Sequence, residues 1–180
     1  MFEGLLRSKF FSKCKSIFKV TRKRIEMIMK KRNAMQKYMR NDILELLRNN
    51  LDINAYGRAE GLMVEMKRSD CYELVDGFCS HLLTNLESIS KQRECPEDCR
   101  EAVSSLMYAA ARFADLPELR DLRTLFSDRY GKSIDLYVNK QFLEKLKPGV
   151  SPKRVELNLL EEIASGSGLD WSSKALENSL

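Results

Sequence analysis

The sequence contains few of the residues on which several common protein classes depend. It has one histidine among 180 residues, His81, which excludes metal sites with several histidine ligands and catalysis by two cooperating histidines. Eight glycines and four prolines are too few for a many-stranded sandwich or barrel, in which a turn recurs every ~8–12 residues. No stretch approaches the ~18 apolar residues of a membrane span, and the N-terminus lacks the apolar centre of a secretory signal. We therefore expect a cytoplasmic protein without catalytic residues.

The cysteines do not form a recognisable disulfide or metal framework. Their number is odd: they are Cys14, Cys71, Cys79, Cys95 and Cys99. In a reducing cytosol, scattered cysteines of this kind act as small apolar residues. The closest pair, in Cys95-Pro-Glu-Asp-Cys99, has no other cysteine or histidine near it in the sequence, so it lacks the four ligands of a structural zinc site. We predict no metal site and no cofactor.

Composition and charge indicate a folded protein with a polyanionic partner. Hydrophobic residues make up 43% of the chain. A chain of 180 residues is long enough to bury about 70% of the surface that it exposes when unfolded. The net charge is +5, yet residues 1–48 alone carry +10, from 14 Lys and Arg against four acids. The remainder of the chain is therefore acidic. A basic block of this kind is typical of binding to phospholipid headgroups, nucleic acid or an acidic protein surface.

Helical periodicity extends over most of the chain and predicts an all-α fold. Residues 9–47 contain no glycine or proline and repeat apolar residues at steps of three, four and seven. They predict one amphipathic helix about 60 Å long, at ~1.5 Å per residue. Asn49-Asn50-Leu51-Asp52 is typical of a turn. A second apolar repeat runs from Ala55 to about Lys91, so we expect the two long helices to form an antiparallel hairpin.

Shorter helices are predicted after the hairpin. Their spans are 96–112, 117–130, 133–146 and 152–165. In the last of them, Ser151 is the expected cap and Pro152 the first helical residue. We expect residues 1–165 to form the helical core and residues 166–180 to form a flexible or weakly helical tail.

Five sequence blocks, in this order, resemble one protein family. They are Arg24-Ile-Glu-Met-Ile-Met-Lys-Lys-Arg32, Arg58-Ala-Glu60, Glu101-Ala-Val-Ser-Ser-Leu-Met-Tyr-Ala-Ala-Ala-Arg112, Tyr130-Gly131 and Pro152-Lys-Arg-Val-Glu-Leu-Asn-Leu-Leu-Glu-Glu-Ile163. Together, over residues 9–165, they resemble the increased-sodium-tolerance family, which comprises ESCRT-III-like regulators of the vacuolar-protein-sorting AAA ATPase. The resemblance implies an ESCRT-III-like core in its closed form, with a long hairpin, shorter helices alongside and a last helix folded back onto the hairpin.

The resemblance also implies a function in assembly without enzymatic activity. It implies an adaptor in multivesicular-body sorting and membrane remodelling, peripheral on endosomal or multivesicular-body membranes. The implied partners are a charged-multivesicular-body-protein-one type of ESCRT-III subunit, the AAA ATPase and its cofactor, an anionic membrane surface and further copies of the chain. The C-terminal MIT-interacting motif of the family, (D/E)xxLxxRLxxL(K/R), does not occur here. Direct binding of this stretch to MIT domains is therefore not expected.

The basic residues of the first helix define a predicted assembly and membrane face. Lys19 and Lys30 are eleven residues apart, close to three helical turns, so they project in the same direction. The resemblance implies assembly contacts at these two positions. The basic face comprises Lys15, Lys19, Arg22, Lys23 and Lys30. Cations repeated along a helix suit an extended anionic surface, because contacts that salt weakens individually add along its length. The simpler alternative is that they only solvate the outer face.

The alternative function is a basic helical domain that binds nucleic acid. Beyond Phe18 and Tyr38, few aromatic residues alternate with the cations of the first helix, so platforms for base stacking are sparse. No compact helix-turn-helix with a short recognition helix is predicted. We therefore expect no nucleic-acid partner.

Two apolar stretches complete the predictions. Val155, Leu159 and Ile163 recur at four-residue intervals and share one helix face. This face either lines a groove for a partner helix or closes the protein's own core. The apolar residues among 1–11 either form a short interfacial helix in a bilayer or pack on the core.

Overall fold

The described part of the protein consists mainly of helices. The computed structural model describes the backbone of residues 2–149 and 151–180, and the side chains of residues 9–149 and 151–180. Helices account for 81% of the chain, and the described residues contain no strand, which confirms the predicted all-α fold. The α-helices are α1 (Phe2–Arg48), α2 (Asp52–Thr84), α3 (Leu86–Lys91), α4 (Arg100–Ala110), α5 (Glu118–Tyr130), α6 (Lys140–Leu146), α7 (Lys153–Gly166) and α8 (Lys174–Ser179). Two 3-10 helices, Glu97–Cys99 and Lys132–Tyr137, precede α4 and α6.

Helices α1 and α2 form the predicted hairpin. Its turn contains Asn50 with φ of 58°, a left-handed conformation that asparagine adopts more readily than most residues. The amide of Leu51 donates to the carbonyl of Leu46 at 2.9 Å, which is the hydrogen bond expected where a left-handed residue ends a helix. The turn therefore lies where the sequence predicts it.

The second predicted helix is interrupted before Lys91. Helix α2 ends at Thr84 and α3 begins at Leu86. Between them, the side chain of Asn85 donates to the carbonyl of His81 at 2.8 Å. A side chain that binds the backbone of its own helix competes with continued helical hydrogen bonding. The prediction of one helix to Lys91 was therefore wrong at this point.

The predicted helix over 133–146 is also divided. Its first part is the 3-10 helix Lys132–Tyr137, and only α6 is α-helical. Two buried hydroxyls of α4 bind the segment between them: Ser104 accepts from the amide of Tyr137 at 3.1 Å, and Ser105 accepts from the amide of Asn139 at 3.0 Å. The side chain of Asn139 then caps α6 by accepting from the amide of Phe142 at 2.8 Å. These tertiary bonds to α4 are not visible in local periodicity.

The start of the last long helix differs from prediction by one position. Pro152 is the flanking residue, with φ of −56° and ψ of 141°, and α7 begins at Lys153. No side chain caps this end, so the predicted cap by Ser151 was wrong. The amide of Val155 donates to the carbonyl of Pro152 at 2.9 Å, so a bond within the first turn satisfies one of the early N–H groups of α7 without a side-chain cap.

The described chain divides into two compact units. The first unit holds α1 up to Met29 together with Asp70–Leu146, and the second holds Lys30–Ser69 together with Lys147–Leu180. In the first unit, α4 is the central element, because Ala102–Met107 are all buried. Aromatic rings pack around it: Phe142 lies 5.7 Å from Phe78 and 6.1 Å from Phe113, measured between ring centroids.

Arg129 stabilises the first unit by binding backbone carbonyls around the end of α3. Its Nη2 donates to the carbonyls of Ile89, Ser90 and Gln92 at 2.8–3.0 Å, at and just beyond the end of α3. The last carbonyls of a helix have no partner within the helix, and a basic side chain at this end also complements the helix dipole. The guanidinium lies 4.0 Å from the ring centroid of Phe10. Arg129 is thus a structural cation of the first unit.

The core of the second unit joins α7 to both helices of the hairpin. Its buried residues come from α1, α2, α7 and α8 and are Ile43, Leu44, Leu47, Ala55, Ala59, Leu62, Leu157, Leu159, Leu160, Ile163, Ala164 and Leu176. Arg32 binds Glu65 at 2.6 Å, and Arg58 pairs with Asp42. From the first pair to the second, the residue number increases on α1, from 32 to 42, and decreases on α2, from 65 to 58, as antiparallel helices require. The predicted fold-back of the last long helix onto the hairpin is therefore observed.

The segment after residue 165 packs against α7. Leu176 of α8 is buried, Arg154 of α7 pairs with Glu177, and the hydroxyl of Ser173 donates to the Glu161 carboxylate. The segment that the sequence assigns to a flexible or weakly helical tail thus contributes to the second unit, and the domain boundary at residue 165 stays a prediction.

Candidate assembly surface

Four of the five basic residues predicted as an assembly face lie in the first unit. Lys15, Lys19 and Lys23 follow one another at four-residue intervals on α1 and are exposed, whereas Arg22 is half-buried. Lys30 is also exposed but belongs to the second unit. Helical geometry therefore places the three lysines of the first unit in one row, which drifts by about 40° at each four-residue step.

The arginines beside this row are already bound to carboxylates. Arg22 Nε donates to Asp76 Oδ1 at 3.0 Å, and this hydrogen bond, with the charge of Asp76, raises the pKa of the arginine. Arg24 binds both carboxylate oxygens of Glu118 at 2.7–2.9 Å. These bonds tie α1 to α2 and α5, so Arg22 and Arg24 serve the fold as much as any surface interaction. Charge reversal at either residue would therefore disturb the structure.

The lysines differ from the arginines in this respect. Within the described part of the chain, no carboxylate lies in ion-pair distance of Lys19 or Lys23. Lys15 lies over the ring of Phe11, 5.9 Å from its centroid. The charge of a lysine that has no ion-pair partner within the protein is available to interact with solvent or with a binding partner. The row Lys15, Lys19 and Lys23 is therefore the part of the predicted face that is available for binding.

A groove of about 620 Å³ adjoins the lysine row. Lys19, Arg22 and Lys23 of the predicted face are among its lining residues. Its other lining residues are Ile25, Glu26, Met29, Glu73, Asp76 and Leu83. Cations, carboxylates and apolar side chains thus line the same groove. The structure therefore brings three of the predicted basic residues together and adds two carboxylates of α2, Glu73 and Asp76, that the sequence of α1 does not reveal.

The apolar residues predicted for a partner groove lie on α7. Leu159 and Ile163 are buried in the core of the second unit, whereas Val155 is 40% exposed. The three residues therefore lie on one helix face but differ in how deeply they are buried. Val155 lies at the edge where the buried face of α7 meets solvent, and it is the member of this set that a partner could reach without disturbing the core.

One of the two aromatic residues considered for nucleic-acid binding is not accessible in the structure. Phe18 is fully buried, so its ring is not accessible for base stacking, and Tyr38 is 76% exposed. The other apolar residues predicted near the N-terminus also divide: Phe10 is buried, and the side chains of residues 1–8 lie outside the described residues. A row of alternating cations and aromatic rings is therefore not formed on the described part of α1.

A family model matches most of the chain. It is the Ist1 model, described as "Regulator of Vps4 activity in the MVB pathway", and it matches residues 15–170. The chain belongs to the Ist1 family. The resemblance to the increased-sodium-tolerance family is thereby confirmed.

Curated Ist1 relatives are similar over most of this chain. An IST1-like protein of Dictyostelium discoideum is 23% identical over 167 residues, covering 88% of this chain and 45% of the relative. The vacuolar protein sorting-associated protein IST1 of Saccharomyces cerevisiae is 24% identical, covering 95% of this chain and 62% of the relative. The chain thus spans about half the length of the curated relatives it matches.

A solved structure has the same fold. It is the crystal structure of the S. cerevisiae Ist1 N-terminal domain in complex with a Did2 MIM motif, with a TM-score of 0.81 and 23% identity. The match covers 91% of this chain and 95% of the solved one. The ESCRT-III-like helical fold that the sequence predicts is therefore confirmed for this Ist1 family member. None of the helices in its described residues is both long and apolar enough to cross a membrane.

One group of side chains was not predicted from the sequence. His81 of α2 approaches Asp98 and Cys99 in the 3-10 helix that precedes α4, although 17 residues separate His81 from Asp98. Burial raises the pKa of the Cys99 thiol to about 12, with a smaller contribution from the charge of Asp98. The thiol is therefore protonated near neutral pH and is not an activated nucleophile. The spacing of these residues in the sequence does not predict the group, because they come together only where the chain folds back after α3.

Proposed function

We propose that this chain is an assembly and adaptor subunit of multivesicular-body sorting and membrane remodelling. In this role it binds ESCRT-III subunits of the Did2 type, which is the charged-multivesicular-body-protein-one type, and regulates a Vps4-type AAA ATPase. The observation that carries the proposal is the family match over residues 15–170 on an ESCRT-III-like fold. The exposed lysine row of α1 supplies a physical means of attachment.

The lysine row supports attachment to an anionic surface. Lys15, Lys19 and Lys23 present three charges along two turns of one helix, and each charge near an anionic membrane contributes about 1 kcal/mol. Such contributions are weak singly but add when the charges reach the surface together. Anionic lipid headgroups and the acidic surface of another subunit are both compatible partners. We propose that the row serves peripheral attachment to endosomal membranes and contact between copies of the chain.

The edge of α7 supports docking of a partner helix. A helix that binds in a groove needs accessible apolar residues beside a rigid wall. Val155 is accessible, and Leu159 and Ile163 form the buried wall behind it. We propose that an apolar helix of the ESCRT-III partner packs along this edge. We propose regulation of the ATPase and its cofactor as a further function; the MIT-interacting motif through which the family would contact them does not occur in this stretch.

Charge reversal tests the role of the lysine row. The double variant Lys19→Glu/Lys23→Glu is compared with the wild-type protein in flotation with vesicles that contain phosphatidylserine, at low and high salt. Lys13→Glu is the matched control, because Lys13 is an exposed lysine of the same helix and points about 120° away from Lys19. We expect the double variant to lose most of its vesicle binding and the control to retain it. Equal binding by all three proteins would refute the attachment role.

A capture experiment tests the partner separately. A Did2-type ESCRT-III subunit is mixed with wild-type protein, with Val155→Asp and with Ser165→Asp as a control at an exposed position of the same helix. We expect Val155→Asp to weaken capture at least ~10-fold, because it places a charge in an apolar contact. Capture that is absent for the wild-type protein would refute the adaptor function. Capture that is unchanged by Val155→Asp would place the partner elsewhere on the chain.

A further inference from the structure

The only histidine of the sequence lies beside a cysteine and an aspartate. His81 Nε2 is 4.0 Å from Cys99 Sγ, and one ligand atom from each of His81, Asp98 and Cys99 lies within 4.8 Å of the other two. His81 and Asp98 are exposed, whereas Cys99 is buried. All three belong to the first unit. An imidazole, a carboxylate and a thiol are the three side-chain types that bind zinc in proteins.

We propose that His81, Asp98 and Cys99 form a binding site for a divalent zinc-like cation, with the fourth position open to water or to a ligand atom of a partner. The mixed nitrogen, oxygen and sulfur donors favour Zn²⁺ over Mg²⁺ or Ca²⁺, which prefer oxygen ligands alone. A site with three protein ligands is incomplete as a structural zinc site. It therefore fits an ion that binds reversibly, and it is independent of the function proposed above.

The distances are compatible with coordination after a small adjustment. Zinc bonds of about 2.0–2.3 Å in tetrahedral geometry place neighbouring ligand atoms roughly 3.4–3.6 Å apart. The observed limit of 4.8 Å among the three atoms exceeds this separation by about 1 Å. His81 and Asp98 are exposed, so rotation of their side chains can close this gap without movement of buried groups.

A hydrogen bond competes with the metal. In the protein as described, His81 Nε2 lies 2.9 Å from the carbonyl oxygen of Asp98, so that this ring nitrogen donates to the backbone. Coordination through Nε2 requires the proton to move to the other ring nitrogen, and it also requires the Cys99 proton to leave. Cys95 is outside the group of described residues whose ligand atoms lie within 4.8 Å of one another. The simpler role of His81 is to hold the start of α4 through the Asp98 carbonyl alone.

Metal binding to the intact chain distinguishes the two roles. The purified protein, freed of metal with a chelator, is titrated with Co²⁺, whose absorption spectrum reports tetrahedral geometry and a cobalt–thiolate bond. Zn²⁺ is then added and should displace the cobalt. We expect one equivalent of Co²⁺ with a thiolate charge-transfer band, and a rise in the melting temperature when Zn²⁺ is bound. The absence of both the band and the thermal shift would overturn the proposal.

Three variants assign the ligands. Cys99→Ser should abolish the charge-transfer band, and His81→Gln should weaken Zn²⁺ binding by at least ~10-fold. Glu97→Gln is the matched control, because Glu97 is an exposed acid of the same 3-10 helix outside the cluster, and its affinity should equal that of the wild-type protein. Circular dichroism of each variant without metal verifies that it is folded. If folded Cys99→Ser retains the band or folded His81→Gln retains full affinity, the cation binds elsewhere and the proposed site is wrong.

Discussion

The two units of this protein have cores of different chemical character. In the first unit, Phe18, Phe113, Phe126 and Phe142 are fully buried together with Tyr72. In the second unit, the buried core residues are Leu, Ile and Ala, while Tyr56 and Trp171 are only partly buried against them. The first unit therefore packs several large, rigid rings, and the second packs smaller aliphatic side chains.

This difference predicts unequal responses to the loss of one side chain. A buried ring touches many neighbours, and removing it leaves a cavity that the surrounding rings fill poorly. Helices that meet through alanine and leucine leave a smaller void and can collapse further. The first unit should therefore lose more stability than the second when a buried side chain is truncated. The lysine row of α1 belongs to this first, more rigid unit.

The largest expected effect is the loss of a central ring in the first unit. Phe142→Ala should lower the free energy of unfolding by about 3–5 kcal/mol, because Phe142 packs on Phe78, Tyr108 and Phe113. Urea unfolding measures the change, and hydrogen exchange of α4 should rise with it. Leu136→Ala is the control: Leu136 is 81% exposed, so its loss should change the unfolding free energy by less than about 0.5 kcal/mol.

The corresponding change in the second unit should cost less. Leu160 is fully buried, and Leu160→Ala should lower the free energy of unfolding by about 2–3 kcal/mol, because the aliphatic surroundings can partly close the cavity. Hydrogen exchange should rise in α7 rather than in α4. The exposed variant Asn158→Ala on the same helix serves as its control. A larger loss for Leu160→Ala than for Phe142→Ala would contradict the comparison of the two cores.

Two glycines should respond in opposite directions. Gly131 of the first unit has φ of 74° and ψ of −169°, a region that is accessible almost only to glycine, so Gly131→Ala should destabilise by about 1–3 kcal/mol. Gly57 in α2 of the second unit has open space where a Cβ would lie, and Gly57→Ala should stabilise by about 0.5–1 kcal/mol. Thermal unfolding of both variants measures the contrast. Destabilisation by Gly57→Ala would show that this turn of α2 needs glycine.

The smallest expected effect concerns one surface ion pair in each unit. Hydrogen bonds from Arg24 lower the pKa of Glu118, and a hydrogen bond from Arg154 lowers the pKa of Glu177. Each pair therefore stabilises the folded state above the unfolded pKa of its carboxylate, and this contribution is lost as pH falls through the lowered folded pKa. The variants Glu118→Gln and Glu177→Gln should lose stability at pH 7, and their difference from wild type should disappear only once the pH is below the lowered folded pKa of each carboxylate.

Urea unfolding as a function of pH measures this effect, and high salt should reduce it because both pairs are solvent-exposed. A stability difference that persists undiminished in strong acid would show that packing, rather than charge, is lost in the glutamine variants.

The helical hairpin was predictable because its signal is local. A run without glycine or proline, with apolar residues every three or four positions, specifies a helix wherever it packs, and the Asn49-Asn50 turn ends it. The divisions at Asn85 and Val138-Asn139 were not predictable, because hydrogen bonds of single polar side chains decide them. Helix ends depend on such bonds more than helix interiors do.

The candidate surface was predictable only in part. The periodicity of α1 places Cys14 on the apolar face and Lys15, Lys19 and Lys23 away from it, and the structure buries Cys14 and exposes the lysines, whereas the burial of Phe18 was not predicted. Periodicity does not reveal that Arg22 is held by Asp76, because the partner lies 54 residues away. The charge of a side chain is a local property, whereas its freedom to bind a partner depends on its neighbours in the fold.

Local pattern alone was sufficient for the helical class, the hairpin and the excess of positive charge on α1, since each follows from residues close together in the chain. Tertiary structure decided which cations remain unpaired, that Val155 is accessible while Leu159 and Ile163 are buried, and that His81 lies beside Cys99. These properties depend on contacts between residues far apart in sequence. Helical periodicity fixes the direction in which a side chain points but not what it meets there.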